Sequence, residues 1–276
     1  MWFGFRRKNY REQTALAYPV NHLINAMHLR LSLLLLLFLA ATTASAQKEK
    51  APRVFYYTYD EKGAPCNAKK ASYQGLLKGF DDTTWQYSYY KNAGPLVYVE
   101  TYRDKQMQHP HGYVALFDHK GRVDTTGWVY NQRREGWWNY YDDSLVVIRS
   151  ELYEKGKLIR EKTKEELTAE QKRKNGPDEY DATFKGGKED WVEYLVKKLR
   201  VPAGISKMTR SAAVKILFTI GTDGYTHDFR VLKSIGLAGD EEAIKIIRLS
   251  PQWHPARKDG KLVKSLMMQP VTFATY

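Results

Sequence analysis

The alternation of apolar and polar positions is sharpest near the C-terminus. Val214, Ile216, Phe218 and Ile220 fall on one face of a period-two pattern, which predicts a half-buried β-strand over 214–220. Gly221-Thr222-Asp223-Gly224 supplies a hairpin turn, and 226–233 reads as the return strand, with Phe229 and Val231 facing inward. Upstream the period changes to that of a helix. Trp191, Leu195 and Leu199 recur every four residues, joined by Val192 and Val196, so 189–199 is predicted helical. Glu189 and Asp190 come early and Lys197, Lys198 and Arg200 late, matching the helix dipole, and Val201-Pro202 ends the run. Asp240 is expected to cap a second helix containing Ala243, Ile244, Ile247 and Leu249, which Pro251 stops. A final strand is expected over 262–273; Pro270 cannot donate to a ladder, which makes that strand an edge. The order helix, strand, strand, helix, strand predicts an α+β fold, a three-stranded antiparallel sheet with two helices on one face.

The region 47–160 has a different texture. Its 54–160 stretch holds fourteen of the twenty Tyr and four of the seven Trp, a composition suited to pleated surfaces. Turn signals punctuate it at Asp60-Glu61-Lys62-Gly63, Asn92-Ala93-Gly94-Pro95, Asp118-His119-Lys120-Gly121 and Glu154-Lys155-Gly156-Lys157. Gly112-Tyr113-Val114-Ala115-Leu116-Phe117-Asp118 realigns with Gly136-Trp137-Trp138-Asn139-Tyr140-Tyr141-Asp142 at a spacing of 24. Such units are hairpin-sized and bury their aromatics only by stacking on neighbours. They resemble variant MORN-type repeats of Gly-aromatic units. A β-rich repeat-like region is therefore expected before the C-terminal module. The stretch 161–178 is charged and poor in large apolar residues, ending Lys174-Asn175-Gly176-Pro177; it reads as a linker containing a polar helix over 163–174. The last domain then spans 179–276.

The remaining segment, 1–46, reads as an N-terminal extension and signal peptide. An apolar run at 31–41 follows Arg30 and precedes Thr42-Thr43-Ala44-Ser45-Ala46-Gln47, the pattern of a secretory leader cut after Ala46. The run is short for a membrane span, which needs about 20 apolar residues. Met27 is a better start for such a leader than Met1, because leaders rarely carry a long polar lead. These features place the protein in the periplasm or cell envelope, with an inner-membrane anchor facing the periplasm as the alternative.

Formal net charge is +13, but Lys and Arg are dispersed, and no nucleic-acid-binding motif accompanies them. The single cysteine, Cys66, excludes an intramolecular disulfide and a cysteine-based zinc site. No catalytic constellation is visible, so the chain is read as a non-enzyme without cofactor or metal. His109-Pro110-His111 lacks the helical spacing of a metal site, and Asp81-Asp82 and Asp142-Asp143 sit beside turn signals as solvated acids. Trp253 is expected to plug the core after the second helix. Trp137 and Trp138 point to opposite faces of a strand, so one can pack while the other stacks on a sugar or peptide.

Several C-terminal residues carry a family resemblance. Phe184-Lys185-Gly186-Gly187 precedes the first helix and Val201-Pro202 follows it. Leu232-Lys233-Ser234-Ile235-Gly236, Asp240-Glu241-Glu242-Ala243, Pro251-Gln252-Trp253-His254-Pro255 and Asp259-Gly260-Lys261-Leu262-Val263 come next. Their order and spacing resemble the C-terminal domain of TonB-type energy transducers over roughly 95 residues. That resemblance implies engagement of TonB-dependent outer-membrane receptors, whose short peptide pairs with an edge strand in TonB-dependent transport. On this analogy Arg200, Val201, Pro202, Val263, Ser265, Met267, Gln269, Val271 and Phe273 line the contact. The chain departs from the pattern at Ser211-Ala212-Ala213, where such domains carry glycine. It also lacks a Pro-rich spacer, and its only long apolar run looks cleavable. The binding role carries over; coupling to inner-membrane motor proteins would require an uncleaved N-terminus. The alternative is a structural or glycan-binding envelope protein, with peptidoglycan as partner and the aromatic repeats as its recognition surface.

Overall fold

The computed structural model describes residues 52–173, 180–203, 205 and 211–274. The N-terminal extension and signal peptide read at 1–46, both candidate start sites included, and Lys174-Asn175-Gly176-Pro177 lie outside the described residues.

Aromatic-rich segments separated by short turns can satisfy their backbone groups by pairing with the next strand, and that is the arrangement found. β1 (Arg53–Tyr59), β2 (Tyr73–Gly79), β3 (Trp85–Lys91), β4 (Leu96–Tyr102), β5 (Pro110–Phe117), β6 (Val123–Tyr130), β7 (Arg133–Tyr141), β8 (Val147–Glu154) and β9 (Lys157–Thr163) form one antiparallel sheet in strict chain order. The 24-residue repeat has a structural cause. Asp118 and Asp142 close the same five-residue turn: Asp118 Oδ1 accepts from the N–H of Lys120 and Arg122, and Asp142 Oδ1 from Ser144 and Val146. Asp60 does the same for Lys62 and Ala64. Three strand glycines each have a neighbouring ring over them, Tyr87 over Gly75, Trp85 over Gly79 and Trp138 over Gly127, so close that a Cβ would collide with the ring.

Within the described residues, the charged stretch after the sheet holds a helix. α1 (Lys164–Arg173) begins at a reciprocal cap, in which Thr163 N–H donates to Glu166 Oε2 (3.0 Å) and Glu166 N–H to Thr163 Oγ1 (3.5 Å). Lys162 pairs with Glu170 at 2.7 Å.

The C-terminal region is α+β. α2 (Gly187–Lys198), β10 (Ser211–Ile220), β11 (Thr226–Lys233), α3 (Leu237–Arg248), β12 (Ala256–Lys258), β13 (Lys261–Val263) and β14 (Ser265–Ala274) follow in order. β11, β10 and β14 make a three-stranded antiparallel sheet, with β10 in the centre. Val214, Ile216, Phe218 and Ile220 are fully buried, together with Ala243 and Ile247 of α3 and Val271 and Phe273 of β14. Trp253 is 3% exposed; its ring meets Phe184 at 5.2 Å, Trp191 at 5.3 Å and Phe218 at 5.6 Å, and its Nε1–H donates to Ser250 Oγ.

Two details differ from the sequence reading. The second helix starts at Leu237, with Gly236 as its cap, so Asp240 lies inside the first turn. Its carboxylate reaches back to Ile235 N–H and Ser234 Oγ–H instead of capping forward. The final strand is also interrupted. Residues 261–263 turn back onto 256–258, and the edge strand begins afresh at Ser265.

The nine-stranded sheet and the C-terminal module share one core. Tyr90, Leu96, Val99, Tyr113, Ala115 and Val123 of the sheet are buried in the same cluster as Val231, Leu232 and Ile246. The seam is polar at its centre. Ser234 N–H donates to the Gly121 carbonyl at 2.7 Å, and Leu96 N–H donates to Ser234 Oγ at 2.9 Å. Lys78 Nζ binds both carboxylate oxygens of Glu241, at 2.7 and 2.5 Å. Arg230 lies over the rings of Tyr113 and Trp128, at 4.9 and 5.4 Å. The opposite face of the sheet carries a separate cluster around Leu77, Trp85, Tyr87 and Tyr102.

Candidate peptide-binding edge

β14 pairs with β10 in unbroken register from Ser211↔Ala274 to Ile220↔Ser265, running straight through Pro270. Its other side borders no strand among the described residues. A ten-residue edge of this kind leaves alternate N–H and C=O groups free, the template for an added strand.

Strand parity divides the side chains into two rows. The inward row pairs with the buried row of β10: Ser265 with Ile220, Met267 with Phe218, Gln269 with Ile216 and Val271 with Val214. Val271 and Phe273 are core residues at 0% and 1% exposure, so they can offer an incoming strand only their main chain. Ser265, Met267 and Gln269 are half-buried. The outward row contains Leu266 at 63% and Met268 at 47% exposure. These two were not singled out among the expected contacts. The signal was available, because the parity of Val214 to Ile220 dictates which row of an antiparallel neighbour is buried.

The remaining expected contacts lie elsewhere. Val263 ends the small hairpin, opposite Ala256. Arg200 N–H donates to Glu242 Oε1 at 3.3 Å, and Pro202 lines a shallow cleft with Ala238, Glu241, Ile244 and Arg248 of α3. The structure thus brings Ser265, Met267, Gln269, Val271 and Phe273 together on β14 and sets Arg200, Val201 and Pro202 beside α3.

Residues 199–275 match the family of the Gram-negative bacterial TonB protein C-terminal. The match covers β10, β11, α3 and β14, so the edge just described lies within the segment similar to that family. It does not extend to the nine-stranded sheet. No curated protein and no solved structure matches the chain. Among the described residues, no helix is long and apolar enough to cross a membrane.

Outside that segment the other candidate groups are engaged locally. Trp138 is 5% exposed, with its Nε1–H on the Trp128 carbonyl at 3.1 Å, while Trp137 is half-buried beneath the Lys162 ammonium at 4.6 Å. Asp142 holds its turn and Asp143 pairs with Arg122 at 2.8 Å. Asp81 accepts from Thr83 N–H, Asp82 pairs with Arg53, and His109 Nδ1 meets Asp104 at 2.9 Å.

Proposed function

We propose that the chain is an exported, non-catalytic binding protein of the cell envelope, in which the TonB C-terminal module takes an extended segment of an outer-membrane transporter along β14. The observation that carries this reading is the ten-residue open edge of β14 within a segment that matches the TonB C-terminal family. Strand addition draws its free energy from main-chain pairing, at about 0.5–1.5 kcal/mol per hydrogen bond. The signal peptide read within 1–46 supplies the route of export. The test is titration of the full chain with the N-terminal peptides of candidate receptors, each also made with single N-methylated amides. Binding should survive methylation at every second position and fail at the positions between, with amide shifts along 265–274. Failure of all receptor peptides to bind, or indifference to methylation, overturns the reading.

A second reading gives the nine-stranded sheet its own recognition role, as a MORN-type Gly-aromatic array that binds glycan. Its support is the half-buried row Tyr73, Tyr89 and Tyr98, whose rings stack at 5.1 Å intervals on the face that carries the second aromatic cluster. Retention on peptidoglycan, reduced by Tyr89→Ala and unaffected by receptor peptides, would favour it; equal retention of wild type and Tyr89→Ala would remove its motivation.

A further inference from the structure

Asp240 is completely buried where three elements meet. Its Oδ2 accepts from Ser234 Oγ–H at 2.5 Å and its Oδ1 from Ile235 N–H at 3.1 Å. The hydroxyl of Tyr90, 2% exposed on β3, approaches the same carboxyl from the nine-stranded sheet and acts on it as a donor. Ser234 Oγ in turn accepts from Leu96 N–H and Gly236 N–H. One carboxyl therefore ties α3, the loop before it and two strands of the sheet into a single hydrogen-bonded knot. Among the described residues no cation pairs with it. The charge of Glu241, its neighbour in α3, acts on it, and Lys78 of β2 is bound to Glu241. β4 and the turn before β6 meet the knot through the Leu96 N–H and the Gly121 carbonyl, and His119 and Lys120 of that turn line a shallow cleft beside Ser234 together with Lys233 of β11.

We infer that Asp240 is a proton-operated latch that holds the nine-stranded sheet against the TonB C-terminal module. Burial first, and then the Glu241 charge, push its carboxyl up to about 7, against the three donors that pull it down. When the seam opens and water reaches the group, the pKa returns towards about 3.9. The closed seam thus holds a proton between about pH 4 and pH 7 that the open seam has lost. Closure is strongest below that window, weakens as pH rises through it, and is constant above it. Each pH unit inside the window changes the open-to-closed ratio by at most about tenfold.

The test uses the full chain. The Asp240 carboxyl carbon, followed by NMR, should titrate with a midpoint near 7. Hydrogen-exchange protection factors of the Leu96 and Ser234 amides should fall with pH by up to about tenfold per unit between pH 4 and 7, then level off. Asp240→Asn should remove that slope. Tyr90→Phe deletes a donor that favours the carboxylate, so it should raise the midpoint, and it serves as the second variant if Asp240→Asn does not fold. A wild-type midpoint below 5, or a slope unchanged in Asp240→Asn, overturns the latch.

Discussion

Gly121 and Ser234 meet backbone to backbone: the Ser234 N–H donates to the Gly121 carbonyl at 2.7 Å, joining a turn of the nine-stranded sheet to the loop before α3. Gly121 adopts φ +73°, and a Cβ there would collide with the Ser234 carbonyl and with Pro95. Gly121→Ala should therefore destabilise the chain by more than about 2 kcal/mol, combining left-handed strain with overpacking. Gly136→Ala is the control. It shares a positive φ, at +65°, but has open space around it, and should cost only about 1–2 kcal/mol. Chemical denaturation of the two variants checks the difference; equal losses would mean that the seam tolerates a side chain at residue 121.

Trp253 and Trp137 should separate in the opposite sense from their nominal interest as ligands. Trp253→Ala removes a ring packed against three other aromatics and should cost about 3–5 kcal/mol in denaturant melts. Trp137→Ala removes a half-buried ring and one contact with Lys162, and should cost within about 1 kcal/mol.

Acid should attack the turns of the sheet. At Asp118 burial raises the carboxyl pKa, but the N–H groups of Arg122 and Lys120 and the Arg122 guanidinium outweigh it, leaving it below the ordinary value. At Asp142 the Val146 N–H is the largest cause of the same direction. Groups depressed in the folded state contribute stability above their unfolded pKa of about 3.9, and that contribution is lost as pH falls through the lower folded value. Wild-type stability should drop on acidification below about pH 4. Asp118→Asn and Asp142→Asn should each flatten the drop, which thermal melts from pH 5 to 2 would detect.

The Lys78–Glu241 pair crosses the seam with only 12% of the Lys78 side chain exposed. A double-mutant cycle with Lys78→Met and Glu241→Gln should give a coupling of about 0.5–3 kcal/mol. Zero coupling would class it with surface pairs that contribute nothing.

The C-terminal fold was legible because its signals are local. Val214 to Ile220 announce their own period, and Pro270 marks an edge without reference to any partner. The turns at Asp60 and Asp118 were equally visible, and the 24-residue repeat proved to be a repeated turn geometry. What could not be read were relationships across the chain. Ser234 belongs to a recognisable motif, yet nothing nearby in sequence indicates that its hydroxyl and amide serve Leu96 and Gly121. The role of Asp240 was misjudged for a related reason: acceptors before an apolar run usually cap forward, but here Gly236 had already opened the helix. Arg200, Val201 and Pro202 were grouped with the last strand by analogy alone, whereas packing sets them beside α3.

The strict chain order of β1 to β9 has a consequence for reach. Neighbouring strands lie about 4.8 Å apart, so each whole hairpin lengthens such a sheet by roughly 10 Å without altering any existing pair. The ties to the C-terminal module run from Lys78 of β2 to Trp128 of β6, and α1 packs on β8 and β9, which leaves β1 as the edge at which a hairpin can be added. The sheet is in this sense a ruler graduated in hairpins, with its zero mark at Ser234.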